Sequence, residues 1–147
     1  MLLALAFAVS GLRARPPTTR RVDPARCAVV AAVLTDLPHI DGSGADGGKF
    51  IAASAPALVA CPDLLSSLPN GLQLADDEAI KNASTAFARR PATVFSIGLP
   101  QVEGRRGRAT VALSYRCSGL CGAEFVLSYA RVGKGWVLQG KRVLSVS

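Results

Sequence analysis

The stretch that decides the fold reads ATVALSYRCSGLCGAEFVLSYARV over residues 109–132 and continues as GKGWVLQGKRVLSV over residues 133–146. Two runs in which apolar and polar residues alternate flank a short turn at residues 118–120, and a third run follows the glycine-containing turn 133–135. Strict alternation is typical of half-buried strands, and tight turns join antiparallel neighbours. The stretch therefore predicts a three-stranded antiparallel meander.

One face of the predicted meander is apolar and the other is mixed, because successive side chains of a strand point to opposite faces. The apolar face of the first two strands holds Ala109, Val111, Leu113, Tyr115, Cys117, Cys121, Ala123, Phe125, Leu127 and Tyr129. Aromatic side chains bury large areas and dominate cores. The predicted structural core of the sheet is its set of aromatic residues: Tyr115, Phe125, Tyr129 and Trp136. We expect Trp136 to be mostly buried against at least one of the other three.

Cys117 and Cys121 lie opposite each other across a three-residue turn, at a separation that a disulfide can close. A loop so short contributes only about 2 kcal/mol on the chain-entropy model, so the bond would mainly fix the register of the hairpin. The alternative is a redox pair or half of a metal site, but such motifs usually have two residues between their cysteines. No metal ligands and no cofactor are predicted.

The two remaining cysteines, Cys27 and Cys61, are predicted to form a second disulfide. Four cysteines allow three pairings, and joining the turn cysteines to remote partners would forgo the geometry that the hairpin provides. A bond between Cys27 and Cys61 closes a long loop and could contribute about 4 kcal/mol. The alternative that stays open is that both are reduced and buried as small apolar residues.

The first 22 residues differ from the rest of the chain. Residues 1–10 start with the apolar run MLLALAFAV, which is too short to span a bilayer and is typical of a secretory signal. No basic residues precede the run, so its true start stays open, as does whether it is cleaved or anchors the chain. Residues 11–22 contain two prolines and four arginines and are predicted as a basic linker. Residues 23–147 are long enough to form a single domain with its own core.

The net charge of +7 depends strongly on that linker. Without its four arginines, thirteen basic and ten acidic residues remain, a balance of only +3. The linker arginines could hold the N-terminal segment near an anionic membrane surface. The even number of cysteines favours an oxidising compartment, so we expect an extracytoplasmic protein, either periplasmic or secreted.

Upstream of the meander, the pattern predicts two helices and two strands. Asp23 and Pro24 should start a helix that Pro38 stops. Acidic residues 76–78 should start a second helix that continues to residue 90. Strands are expected at residues 49–54 and 93–99. The predicted fold class is α+β, with one or two N-terminal helices packed on a curved antiparallel sheet that ends in the three-stranded meander.

Residues 93–147 combine a strand at 94–97, the sequence Cys-x-Gly-Leu-Cys-Gly at 117–122, an apolar strand at 125–129, and Gly135-Trp136. This combination resembles a family of small exported bacterial proteins of no agreed biochemical role. The resemblance implies an extracytoplasmic α+β protein and no catalytic residues. The order of helices followed by a curved meander is also similar to the NTF2-like fold, an analogy that gives no function.

Two classes of function are open. The first is a non-enzymatic binding or interaction module for a small apolar ligand, an envelope component or a protein partner, because no nucleophile motif or catalytic residue is recognisable. The second is a hydrolase that uses a carboxylate and His39, the only histidine, in a concave pocket of the sheet. The two classes differ in whether His39 and a carboxylate converge in one pocket.

Three arginines, Arg105, Arg106 and Arg108, cluster in the turn before the meander. They are interpreted either as a solvated hairpin tip or as a contact for a polyanion. Aromatic residues for base stacking are not interleaved with them, so specific binding of nucleic acid is not predicted.

Overall fold

The computed structural model describes residues 23–40 and 47–147, so the predicted signal-like segment, the basic linker and the loop 41–46 lie outside the described residues. The helices are Pro24–Ile40 (α1), Pro56–Ala60 (α2) and Asp77–Ala83 (α3), with short 3₁₀ turns at Pro62–Ser67 and Gly104–Arg106. The strands are Gly48–Ile51 (β1), Leu72–Leu74 (β2), Ala92–Ile97 (β3), Gln101–Glu103 (β4), Arg108–Cys117 (β5), Cys121–Val132 (β6) and Gly135–Val146 (β7). The predicted α+β class is confirmed.

The described strands form one sheet in the order β2-β1-β3-β5-β6-β7, and β4 pairs with the start of β5. Strands β5, β6 and β7 pair in antiparallel fashion, so the meander is confirmed. The sheet as a whole is mixed, because β1 pairs in parallel with both β2 and β3. Parallel neighbours need a crossover connection, and α2 and α3 lie in the connections that follow β1 and β2.

Helix α1 begins as predicted but ends later. The Asp23 carboxylate accepts a hydrogen bond from the Ala25 backbone N–H at 2.9 Å, which caps the first turn. Pro38 was expected to stop the helix, yet α1 continues to Ile40. A proline removes one helical hydrogen bond, and burial of Leu37 and Ile40 on either side of it favours the continued turn.

Helix α3 begins at its acidic residues and ends earlier than predicted, at Ala83 rather than residue 90. The Asp76 carboxylate caps it by accepting from the Ala79 N–H at 2.7 Å. At the other end, the hydroxyl groups of Ser84 and Thr85 donate to carbonyl oxygens of the last turn at 3.1 and 2.6 Å. These side chains satisfy carbonyls that a longer helix would have used, so the helix stops.

The core lies between α1, α2 and one face of the sheet, which we call the covered face. The buried stripe of α1 comprises Val29, Val30, Val33, Leu34, Leu37 and Ile40. Phe125 and Tyr129 are confirmed as core residues, at 5 % and 1 % exposed. Tyr115 is partly buried between Phe95 and Phe125, with ring centroids 5.8 and 5.9 Å away. Trp136 is also partly buried and packs against the margin of the core.

Lys141 lies on the covered face, opposite Leu127 in the register of β6 and β7. Its ammonium group donates to the carbonyl oxygen of Ile40 at 3.1 Å and lies 4.9 Å from the centroid of the Phe125 ring. A cation at a helix C-terminus is favourable because it satisfies an unpaired carbonyl and complements the helix dipole. This contact fixes the end of α1 on the sheet.

Both predicted disulfides are present. Cys117 and Cys121 are partners in the β5–β6 register, with Cα atoms 5.0 Å apart. Cys27 of α1 is bonded to Cys61, with Cα atoms 5.7 Å apart, and ties the helix to the segment after α2. Two disulfides point to an oxidising, extracytoplasmic environment.

Candidate functional site

The other face of β5, β6 and β7 carries small and polar side chains, and we call it the open face. Register pairing places these residues on it: Thr110, Ala112, Ser114 and Arg116 of β5; Gly122, Glu124, Val126, Ser128 and Ala130 of β6; and Val137, Gly140, Arg142 and Ser145 of β7. Helix α3 packs against β3, next to this face. Most of the polar side chains on β6 and β7 remain exposed to solvent. The open face is therefore available to a ligand.

A hollow of about 550 Å³ lies on the open face where β4 joins the sheet. Its polar lining consists of Gln101, Glu103, Arg108, Thr110, Ser128 and Gln139. Gln101 and Glu103 face this side because their register partners are Thr110 and Arg108. We call this space the basic-end hollow.

Gln139 reaches the basic-end hollow through an irregularity of β7. Ser128 pairs with Gly140 and Tyr129 pairs with Leu138, so Gln139 is an extra residue in the strand. Such a β-bulge redirects a side chain relative to strict alternation. The amide group of Gln139 thereby joins that of Gln101 among the lining residues.

Arg108 gives the basic-end hollow a positive charge. The carboxylate of Glu103, also in the lining, lies 3.5 Å from the guanidinium group of Arg106. No carboxylate lies within ion-pair distance of Arg108 among residues 23–40 and 47–147. Because the Glu103 carboxylate pairs with Arg106, the Arg108 guanidinium is left without an ion-pair partner among the described residues, although Glu103 is its register partner.

Five cations surround this end of the sheet, which we call the basic end: Arg105, Arg106, Arg108, Arg131 and Lys134. The turn before β5 and the turn between β6 and β7 meet there, since the Arg131 N–H donates to the Gly107 carbonyl at 2.7 Å. All five side chains are exposed. Their combined field attracts anions to the hollow.

The charge of the folded region is divided unevenly along the chain. Residues 101–147 contain eight Lys and Arg residues but only two acids, a net charge of +6. Residues 23–100 contain five Lys and Arg residues and eight acids, a net charge of −3. The linker supplies +4 of the net charge of +7, as predicted, but the remaining +3 is the sum of a basic C-terminal part and an acidic part before it. Counting charge by segment would have revealed this from the sequence.

Among residues 23–40 and 47–147, the structure does not place His39 beside a carboxylate in the basic-end hollow. His39 is exposed in the last turn of α1 and is not among the lining residues of the basic-end hollow. Asp36, one turn earlier, accepts a hydrogen bond from the Tyr129 hydroxyl at 3.0 Å. Burial, together with the charge of Asp36, raises the pKa of Tyr129 above its usual range. The phenol therefore stays neutral and acts as a donor.

Two of the three acidic residues at 76–78 have structural partners. Asp76 caps α3, and Glu78 lies 3.6 Å from Arg90. Within the described ranges, no three His, Cys, Asp or Glu side chains are grouped closely enough to hold a metal ion.

Three smaller hollows are also formed. One of about 480 Å³ adjoins Cys121 at the far end of β5 and β6, and one of about 320 Å³ lies beside α3. The third, of about 240 Å³, includes Gly98, Ala112 and Leu144. His39 lines none of these either.

Comparison of the chain with family models, with curated proteins and with solved structures finds no match. Among the described helices, none combines the length and apolar character needed to cross a membrane.

Proposed function

We propose that this protein is a non-enzymatic binding module of the cell envelope, and that its ligand is an acidic polysaccharide bound at the basic-end hollow. The observation that carries the proposal is Arg108, a cation without an ion-pair partner among the described residues, in a hollow at the end of the sheet where five cations gather. The long-range field of the basic end concentrates anions, and the hollow selects among them.

The lining residues suit a sugar that carries a negative group. A guanidinium group can bind a carboxylate, sulfate or phosphate through two parallel hydrogen bonds. The amides of Gln101 and Gln139 and the hydroxyls of Thr110 and Ser128 can each donate to and accept from sugar hydroxyls. A volume of about 550 Å³ is within the usual range for small-molecule sites.

Other ligand classes are less well matched by the open face. An apolar ligand would need an apolar lining, whereas the apolar side of the sheet is filled by α1 and α2. Single-stranded nucleic acid is usually bound with aromatic stacking, and the open-face residues of β5, β6 and β7 include no aromatic side chain.

The cellular setting is part of the proposal. Secretion through residues 1–10, a periplasmic or secreted location, and kinship with the small exported bacterial family are all consistent with the two disulfides. The hydrolase alternative requires His39 beside a carboxylate in one hollow, and no observation favours it.

Titration with polygalacturonate, and with neutral dextran as the comparison polymer, tests the proposal. We expect binding of the acidic polymer only, with an affinity that falls as salt is added. Arg108→Gln should weaken binding roughly tenfold or more, because a hydrogen bond to a charged group is worth about 1.5–3 kcal/mol. The matched control is Arg116→Gln, which removes the same charge from the same strand and face at the opposite end. An equal loss of affinity in the two variants would contradict the proposal. So would binding of dextran as tight as that of polygalacturonate.

A further inference from the structure

The hollow of about 480 Å³ beside Cys121, which we call the far-end hollow, lies at the end of β5 opposite the basic end. Two side chains of opposite charge, Arg116 and Glu124, line it together with serine hydroxyls. Its volume is within the usual range for sites that bind small molecules. It shares no lining residue with the basic-end hollow, so an inference about it is independent of the proposed polysaccharide.

The two charges of the far-end hollow are close together but are not paired. Arg116 of β5 pairs with Gly122 of β6, and Glu124 lies two residues farther along β6 on the same face. Cα atoms in that diagonal relation are about 7–8 Å apart, so long side chains could meet. In the part of the chain that the structure describes, neither Arg116 nor Glu124 has an ion-pair partner. Glu124 instead accepts a hydrogen bond from the Ser145 hydroxyl at 3.1 Å. Both charges therefore remain for a ligand.

The walls of the far-end hollow are fixed to one another. The end of α3 forms one wall, and the turn between β5 and β6, which carries Leu120, forms another. The Gly119 N–H donates to the Thr85 carbonyl at 3.0 Å. The Ser118 hydroxyl donates to the Asn82 carbonyl at 2.8 Å. The hairpin disulfide closes the same turn. A site held in this way needs little reorganisation when a ligand binds.

Leu120 gives the far-end hollow an apolar wall at a conformational cost. Its φ is 58°, in the left-handed region that favours glycine. The side chain is 65 % exposed, so burial within the chain does little to offset that cost. Strained backbone that persists in a well-fixed turn is characteristic of functional positions. A contact with the apolar part of a ligand explains why leucine stands here.

We infer that the far-end hollow binds a free α-amino acid with an apolar side chain. The Arg116 guanidinium group can hold the α-carboxylate through two parallel hydrogen bonds, and the Glu124 carboxylate can accept from the α-ammonium group. One carbon joins the two charged groups of an α-amino acid, which suits two protein charges that are near each other but not in contact. The apolar side chain of the ligand then lies against Leu120. A polyanion is disfavoured here because Glu124 repels it.

The direct test is calorimetric titration of the full chain with three probes. L-Leucine carries both charges, leucinamide lacks the carboxylate, and N-acetyl-leucine lacks the ammonium group. We expect L-leucine to bind, and each derivative to bind about tenfold more weakly or worse, because a hydrogen-bonded contact between charged groups is lost. If L-leucine does not bind, or if either derivative binds as tightly, the inference is overturned.

Variants assign the two charges. Arg116→Gln should weaken binding of L-leucine by about tenfold or more but leave that of leucinamide unchanged, since leucinamide has no carboxylate to lose. Glu124→Gln should do the same for L-leucine and N-acetyl-leucine. Both residues are exposed, so the fold should be retained. The matched control is Arg142→Gln, which removes a charge from the same face outside the far-end hollow. A control that weakens binding as much as Arg116→Gln would refute the inference.

A last variant tests the apolar wall. Leu120→Gly suits the backbone at this position and should fold normally. It should weaken binding of L-leucine by about threefold to tenfold, because less apolar surface leaves water, and affect L-alanine much less. An equal change for the two amino acids, or none for L-leucine, would show that the ligand side chain does not lie against Leu120 and would overturn the proposed mode of binding.

Discussion

The two faces of the central sheet are built from alternate residues of the same strands, yet they differ in nearly every property. On β5, Val111 and Leu113 are each 1 % exposed, whereas Thr110 and Ala112, which alternate with them, face solvent. The covered face holds large apolar side chains under two helices, and the open face holds small polar ones over hollows. Stability should therefore depend on the covered face and the proposed binding on the open face, so neighbouring residues can be used to test each independently.

The largest expected effect concerns the disulfide that holds α1 over the covered face. Replacing Cys27 and Cys61 by alanine should lower the free energy of unfolding by about 4 kcal/mol on the chain-entropy model. The Cys117–Cys121 disulfide closes a far shorter loop. Replacing these two cysteines by alanine should therefore lower the free energy of unfolding by only about 2 kcal/mol. Urea denaturation of both double variants measures the comparison. A larger loss of stability in the Cys117 and Cys121 variant would show that loop length does not determine how much each disulfide stabilises this protein.

The next effect compares neighbouring residues on β5. Leu113→Ala should cost about 3 kcal/mol, because it leaves a cavity in the core. Ala112→Ser, on the open face, should change stability by less than about 0.5 kcal/mol. Thermal unfolding of the two variants checks this, and similar losses would mean that the faces are not energetically distinct.

A smaller effect is expected at the hydrogen bond between Tyr129 and Asp36. Tyr129→Phe should cost about 1–2 kcal/mol, because the partly buried carboxylate loses its donor. The raised pKa of Tyr129 also has a consequence for pH. Above about pH 10 the unfolded phenol releases its proton while the folded one keeps it, so stability falls as pH rises. The free energy of unfolding, measured by denaturation between neutral and strongly alkaline pH, should fall less steeply for Tyr129→Phe than for the wild-type protein. Parallel curves for the two proteins would exclude this linkage.

The smallest effect on stability should accompany a clear effect on binding. Ser128→Ala removes an exposed hydroxyl of the basic-end hollow and should change stability by less than about 0.5 kcal/mol. Loss of one hydrogen bond should weaken binding of the acidic polysaccharide by about threefold to tenfold. Thermal unfolding measures the change in stability, and calorimetric titration beside the wild-type protein measures the change in affinity. A variant that binds normally would place the ligand elsewhere on the open face.

The meander could be predicted because long alternating runs leave one face apolar. The Cys117–Cys121 disulfide followed from the geometry of its first turn, whereas Cys27 and Cys61 could have been bonded or reduced. The strands β2 and β4 were not predicted, because three residues are too few to show a period. The early end of α3 depends on hydroxyl groups that bond carbonyls locally, and its helical pattern gave no sign of this. The parallel pairing of β1 was not predicted either, because it depends on how the connections that contain α2 and α3 cross the sheet.

The candidate site was accessible from the sequence only in part. Arg105, Arg106 and Arg108 were recognisable as a cluster, but not the hollow beside them. That hollow needs the register of β4 and the bulge at Gln139, and both arise from pairing between strands distant in sequence. The exposure of Leu120 likewise depends on where two loops meet, since apolar residues in a sequence are expected to be buried.

The last strand, β7, is an edge of the sheet, and a long edge offers free N–H and C=O groups to other chains. Several of its apolar side chains are exposed, including Val143 and Val146. The bulges at Gln139 and Leu144 interrupt the regular spacing of those groups, and Arg142 adds a charge beside them. An approaching strand cannot keep its register along such an edge. The same irregularity that brings Gln139 into the basic-end hollow therefore also disfavours edge-to-edge aggregation.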